Sequence, residues 1–216
     1  MPSKYLPFVL LAGAYALAQS SAPIDNDQVK VIVAHQLPHV ATALHEHKSN
    51  RVMIYLDAGH QVFNYPGKKP SALDFKAGEV MWSPGGGLHT AEITSPGAVN
   101  IVEIELKKPG HGKAPEGGAQ DPVKVDPKHY KIEYENDQVR VLRVKIGPHE
   151  ATPVHQHALN RVVTYVTDQD FRVTGADGKA EHTVHKAGEV SWGGPLTHKE
   201  ENLSGKAFEA IVTELK

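Results

Sequence analysis

The chain repeats itself, and that limits what it can fold into more than any other feature. Asn26-Asp27-Gln28-Val29 returns 110 residues later as Asn136-Asp137-Gln138-Val139. The same offset carries Pro38-His39 onto Pro148-His149 and Ala41-Thr42 onto Ala151-Thr152. It also carries His45-x-His47 onto His155-x-His157 and Asn50-Arg51-Val52 onto Asn160-Arg161-Val162. Tyr55 meets Tyr165, Ala77-Gly78-Glu79-Val80 meets Ala187-Gly188-Glu189-Val190, and Trp82 meets Trp192. One residue is then lost, so that His89 matches His198 and Glu105-Leu106 matches Glu214-Leu215. So many matches at one offset mean a duplication, and the chain is expected to fold as two similar units.

Each copy spans about 85–90 residues, near the small end for an independent core, so the two halves are expected to pack on each other. The first domain is read as residues 23–106 and the second as 128–216, joined by a linker at 107–127 that is rich in Gly, Pro and Lys and has no apolar period. Within a copy the pattern is all-β. Val29 to Val33 and Val139 to Val144 are β-branched runs, and Val52 to Leu56 and Val162 to Val166 read as buried strands. Asp177-Gly178 is a strong hairpin turn, and Pro66-Gly67 a weaker one. Val99 to Leu106 and Phe208 to Leu215 read as closing strands. Many short strands separated by turns imply a sandwich or jelly-roll barrel.

The first residues are set apart from both copies. Lys4 gives a positive start, Leu6 to Ala18 form a short apolar run, and Ala16-Leu17-Ala18 supplies small residues at a cleavage site. Residues 1–18 are therefore read as a signal peptide, cut before Gln19, which would make the mature protein secreted or periplasmic. The run is short for a bilayer span, and the chain has no cysteine for a lipid anchor or a disulfide. A net charge of −2 provides no basic field for nucleic acid or anionic lipid. There is also no Gly-rich phosphate loop, Ser-His-Asp order or Cys-His pair.

The histidines carry the chemistry. In a strand, residues i and i+2 project from one face, so His45 and His47 point together, as do His155 and His157. Two imidazoles on adjacent pleats can share one metal ion. A third histidine, His89 or His198, follows each Ala-Gly-Glu-Val turn by about ten residues, so an antiparallel neighbour can bring it to the pair. His45, His47 and His89, and His155, His157 and His198, are thus two candidate metal sites.

These residues resemble the two motifs of the cupin superfamily. His45 and His47 fall on the first motif, which ends at Gly59, and Gly78, Pro84, Gly86 and His89 fit the second without gaps. In the other copy His155 and His157 match motif one; Gly188, Pro195, His198 and Asn202 match motif two with a one-residue adjustment. The resemblance covers Pro23 to Lys216 and implies a bicupin, with a β-barrel in each half and a metal site inside. Two departures stand out. His39 and His149 occupy the glycine position of motif one, and the glutamate ligand is missing, its slot falling at Arg51 or Val52 and at Arg161 or Val162. What remains resembles the three-histidine cupins of the cysteine-dioxygenase type. Neutral imidazoles suit several divalent transition metals; Fe(II) is the first choice, with Zn, Ni, Cu and Mn as alternatives.

Arg51 and Arg161 are candidate substrate-binding residues. Pointing inward, each could pair with a carboxylate or phosphate of a small-molecule ligand. Pointing outward, with Val52 and Val162 facing in, they would make surface salt bridges, and this outward reading is preferred. Trp82, Trp192, Tyr55 and Tyr165 are expected to serve core or inter-barrel packing, and His182 and His185 to lie on the surface. His39 and His149 either orient the site or sit on exposed loops. Two functions remain open: a metal-dependent, dioxygenase-type enzyme acting on a small polar molecule, or a bicupin that binds a metal or metabolite without turnover.

Overall fold

The computed structural model describes residues 19–112 and 118–216, so the expected leader lies outside the described residues. The first half contains β1 (Gln19–Asp25), β2 (Val29–Gln36), β3 (Arg51–Tyr55), β4 (Gly59–Asn64), β5 (Ser71–Phe75), β6 (Glu79–Ser83), β7 (Thr90–Ile93) and β8 (Val99–Leu106). After a single-turn helix, α1 (Pro122–Val125), the second half runs β9 (Tyr130–Glu135), β10 (Val139–Ile146), β11 (His155–His157), β12 (Arg161–Tyr165) and β13 (Gln169–Gly175). It finishes with β14 (Ala180–His185), β15 (Val190–Gly193), β16 (Leu196–Asn202) and β17 (Phe208–Leu215). The fold is all-β, and no helix among the described residues is long and apolar enough to cross a membrane.

The duplication is visible in the topology. A five-stranded sheet of order β1-β2-β8-β3-β6 in the first half has its counterpart in β9-β10-β17-β12-β15 in the second. A smaller sheet accompanies each, β5-β4-β7 in one half and β14-β13-β16-β11 in the other. The Ala-Gly-Glu-Val turns are built alike. Gly78 and Gly188 adopt φ of 77° and 88°, a region that favours glycine, and their amides donate to the carbonyls of Tyr55 and Tyr165 at 2.7 Å.

The central strands of the five-stranded sheets, β3 and β8 in the first half and β12 and β17 in the second, are buried on both faces. Along β3, Val52 and Ile54 join a cluster that also contains Val29, Val31, Val102 and Ile104 from the first half and Val139, Val141, Val162 and Ile211 from the second. Met53 and Tyr55, from the other face of β3, pack with Phe75, Ile93, Val99 and Ile101. Polar contacts cross between the halves in matched pairs. Asn50 Nδ2 donates to Gln138 Oε1 at 2.5 Å, and Asn160 Nδ2 donates to Gln28 Oε1 at 2.7 Å. Trp82 stacks on Tyr134 with ring centres 5.8 Å apart.

Candidate metal centres

Antiparallel pairing gathers each triad. His155 lies directly opposite His198 in the β11–β16 ladder. In the first half the strand equivalent to β11 is reduced to one bridge, His45 opposite His89, with mutual backbone bonds of 2.9 and 2.8 Å. Since i and i+2 share a face, His47 and His157 join their pairs. Ring centres are 4.6–5.8 Å apart in the first triad and 4.6–5.6 Å in the second. In each triad one nitrogen from every ring lies within 4.8 Å of the other two.

Hydrogen bonds decide which nitrogens face inward. In the first triad the Nδ1 atoms of His45, His47 and His89 donate to Ala43 O at 2.7 Å, Glu105 Oε1 at 2.8 Å and Gly87 O at 2.6 Å. All three Nε2 lone pairs are left for a metal, and the oxygen partners fix ring orientation as metal-ligating histidines require. In the second triad His155 Nδ1 donates to Pro153 O at 3.0 Å and His157 Nδ1 to Glu214 Oε1 at 2.7 Å. His198 is 5% exposed, yet neither of its ring nitrogens has a hydrogen-bond partner. Buried nitrogens seldom go unpartnered, and a bound cation would satisfy one of them. Both donor sets fit a divalent transition metal. Burial, the largest influence, holds the His198 imidazole down to about 4 and lowers His89 and His155, so these ligands are neutral near pH 7.

Each triad opens onto a cavity, of about 450 Å³ in the first half and 360 Å³ in the second. Arg51 and Arg161 line these cavities and are only 7% and 6% exposed, which overturns the preferred outward reading. The reason is that Val52 and Val162 are taken by the cluster shared between the halves, leaving the opposite face of each strand, with its arginine, to the cavity. His185 is corrected as well. It lines the second cavity and stacks on Tyr165, centroids 3.8 Å apart, as Phe75 stacks on Tyr55 in the first half at 4.0 Å. His182 is exposed and meets Asp170 at 2.7 Å. His39 and His149 have exposed side chains and orient neither triad. Tyr55 and Tyr165 are buried as expected but also form cavity walls, and Trp82 and Trp192 line the first and second cavity.

Three groups escaped the sequence reading. Glu103 lines the first cavity, where its Oε2 accepts from Arg51 Nη1 at 3.1 Å. Glu200 and Tyr130 line the second; the Tyr130 hydroxyl donates to Glu200 Oε2 at 2.6 Å and lies 3.1 Å from His155 Nε2. Burial, then Glu200, drives the Tyr130 phenol well above its usual range. Burial pushes the Glu200 carboxyl up, but His198, the Tyr130 hydroxyl, His155 and His157 outweigh it and lower it. All three residues differ between the copies, so the comparison of repeats passed over them. Glu200, two residues after His198 on an alternating strand, was the one with a usable signal.

By sequence the chain matches no family model and no curated protein. Solved structures do match. AerE from Microcystis aeruginosa is similar at a TM-score of 0.66 and 12% identity, over 88% of both chains. A cupin 2 conserved barrel domain protein from Leptotrichia buccalis is similar at 0.57 and 13%, over 93% of this chain and 90% of that one. The fold is that of a bicupin. Oxalate decarboxylase from Bacillus subtilis, which has Mn(II) centres, is similar at 0.60 and 13%, over 91% of this chain and 72% of its own. Residues of a histidine triad line a cavity in each half, His45, His47 and His89 in the first and His157 and His198 in the second.

Proposed function

We propose that this bicupin holds a divalent transition metal on its histidine triads and acts on a small polar molecule at the open coordination positions. The observation that carries this reading is the first triad, in which oxygen acceptors take all three Nδ1 protons and one nitrogen of each ring lies within 4.8 Å of the other two. Three protein ligands without a carboxylate leave room for a ligand or for oxygen, as in catalytic rather than closed structural sites. A bound metal supplies Lewis acidity there and, if it is iron, redox chemistry. The chain's own part is to orient the imidazoles through Glu105 and Glu214, to present a guanidinium beside them, and to wall off water with Tyr55 and Tyr165. Fe(II) remains the first choice for a dioxygenase-type reaction, with Zn, Ni, Cu or Mn as alternatives.

A second reading is a bicupin that binds without turnover. It is favoured by the Tyr130 hydroxyl beside His155 Nε2, which crowds the metal face of the second triad. Elemental analysis of untagged protein tests both. Stoichiometric iron with oxygen uptake in the presence of small carboxylates supports the enzyme, whereas protein that stays metal-free after reconstitution retires it. We also propose that residues 1–18 direct export, so that N-terminal sequencing of the mature protein begins at Gln19, and that the two barrels act as one packed unit through their shared cluster.

A further inference from the structure

The duplication supplies a control for each polar group buried in a barrel, because the same place in the other copy shows what the fold itself needs. Gln36 and Gln61 line the first cavity, and their counterparts in the second half are Ile146 and Phe171, which share one apolar cluster. The registers agree. Gln61 lies opposite Ile93 as Phe171 lies opposite Asn202, and Gln36 lies opposite Val99 as Ile146 lies opposite Phe208. The barrel therefore closes without amides at these places. In the first half Gln61 is only 2% exposed, and its Nε2 donates to Gln36 Oε1 at 2.9 Å, but its own Oε1 has no hydrogen-bond partner. A buried acceptor left unpaired destabilises a fold, and native proteins seldom keep one.

A ligand can supply the missing donor. Gln61 and Phe63 project from the same face of β4, and both line the cavity. Phe63 stands beside His89, ring centres 5.7 Å apart, so the amide pair lies one inward-facing position further from the triad. The two charged residues of the cavity wall, Arg51 and Glu103, bind each other at 3.1 Å, so neither calls for a charged occupant. Met53, Phe63, Leu73 and Ile101 give the same cavity an apolar wall. We propose that the first barrel seats the hydroxyl group of a small neutral alcohol at this amide pair, away from the triad. The hydroxyl donates to Gln61 Oε1 and accepts from Gln36 Nε2, and the apolar body of the molecule lies along the wall. A hydroxyl both donates and accepts, so one group satisfies both amides. The inference goes beyond the metal reading and does not depend on it, because neither amide belongs to the triad.

The experiment is a calorimetric titration of the full chain with cyclohexanol and with cyclohexanone, rings of nearly the same size of which only the first carries a donor proton. Cyclohexanol is expected to bind about tenfold or more tightly than cyclohexanone, because the ketone leaves Gln61 Oε1 unpaired. Gln61→Met keeps the length of the side chain and removes the acceptor, so in that variant the two molecules should bind alike. If that variant does not fold, the contrast in the unaltered protein decides alone. Equal affinities in the unaltered protein, no binding of cyclohexanol, or a preference that survives in Gln61→Met overturns the proposal. The titration is repeated after treatment with a chelator, and the preference for cyclohexanol should be unchanged. A protein that never takes up metal therefore overturns the metal reading alone, whereas loss of the preference on removing metal overturns the seat at the amides.

Discussion

His39 and His149 sit at φ of 60° and 56°, a backbone region that favours glycine, and this explains why the cupin motif has glycine at that position. Both side chains are exposed, so the strain is not repaid by contacts with the triads. His149→Gly should therefore stabilise the protein by about 1 kcal/mol, read as a higher urea midpoint at unchanged slope. Among the ligands, His45→Ala with His47→Ala should halve the total metal content, leaving the second site filled. Unchanged metal would count against the ligand assignment. Acid should weaken the metal-free fold in a defined window. The His198 imidazole stays neutral in the fold until about pH 4, while the unfolded chain takes up that proton near the ordinary histidine value of about 6.5. As pH falls between these values the unfolded state binds more protons, so stability drops, and the loss levels off below about 4. Thermal unfolding of metal-free protein from pH 7 to 4.5 checks this; a midpoint that does not fall across the range would contradict it.

At the scale of elements, β3 and β12 explain both what could be read and what was misread. All five residues of β3 are buried, so alternation has no solvent face to mark phase. That is why the direction of Arg51 was not legible from sequence. Pairing between β10, β12 and β17 also creates a line of charge behind the second triad. Asp121 Oδ2 accepts from Arg140 Nη1 at 2.7 Å, Arg140 Nε donates to Glu214 Oε2 at 2.7 Å, and Glu214 Oε1 accepts from His157 at 2.7 Å. Burial raises the Glu214 carboxyl, but its bonds to His157 and Arg140 prevail and lower it below the usual range. Asp121 also caps α1 by accepting from the Val123 amide, so the segment joining the barrels is tied to a candidate ligand. Glu214→Gln should weaken metal binding in the second barrel about 10- to 100-fold and leave the first unchanged, as metal titrations of single-triad variants would show.

At the scale of the whole molecule, the largest apolar cluster belongs to neither half alone. Ile54, fully buried in it, should cost about 2–4 kcal/mol on truncation to alanine. The loss should appear in one cooperative unfolding transition, since β3 and β12 share that core, and two resolved transitions in calorimetry would contradict it.

The sequence by itself determined the duplication, the all-β pattern of each copy and the identity of the six histidines. These rest on local spacing: a fixed offset between copies, a two-residue alternation along a strand, and a turn of known type. Tertiary structure decided where the arginines point, because a strand buried on both faces has two candidate inner sides and only the neighbouring barrel chooses between them. It also decided that Glu103 meets Arg51 across adjacent strands while Tyr130 and Glu200 meet beside His155. Those contacts join residues 52, 70 and 25 positions apart, a pairing set by sheet register and not by any local pattern.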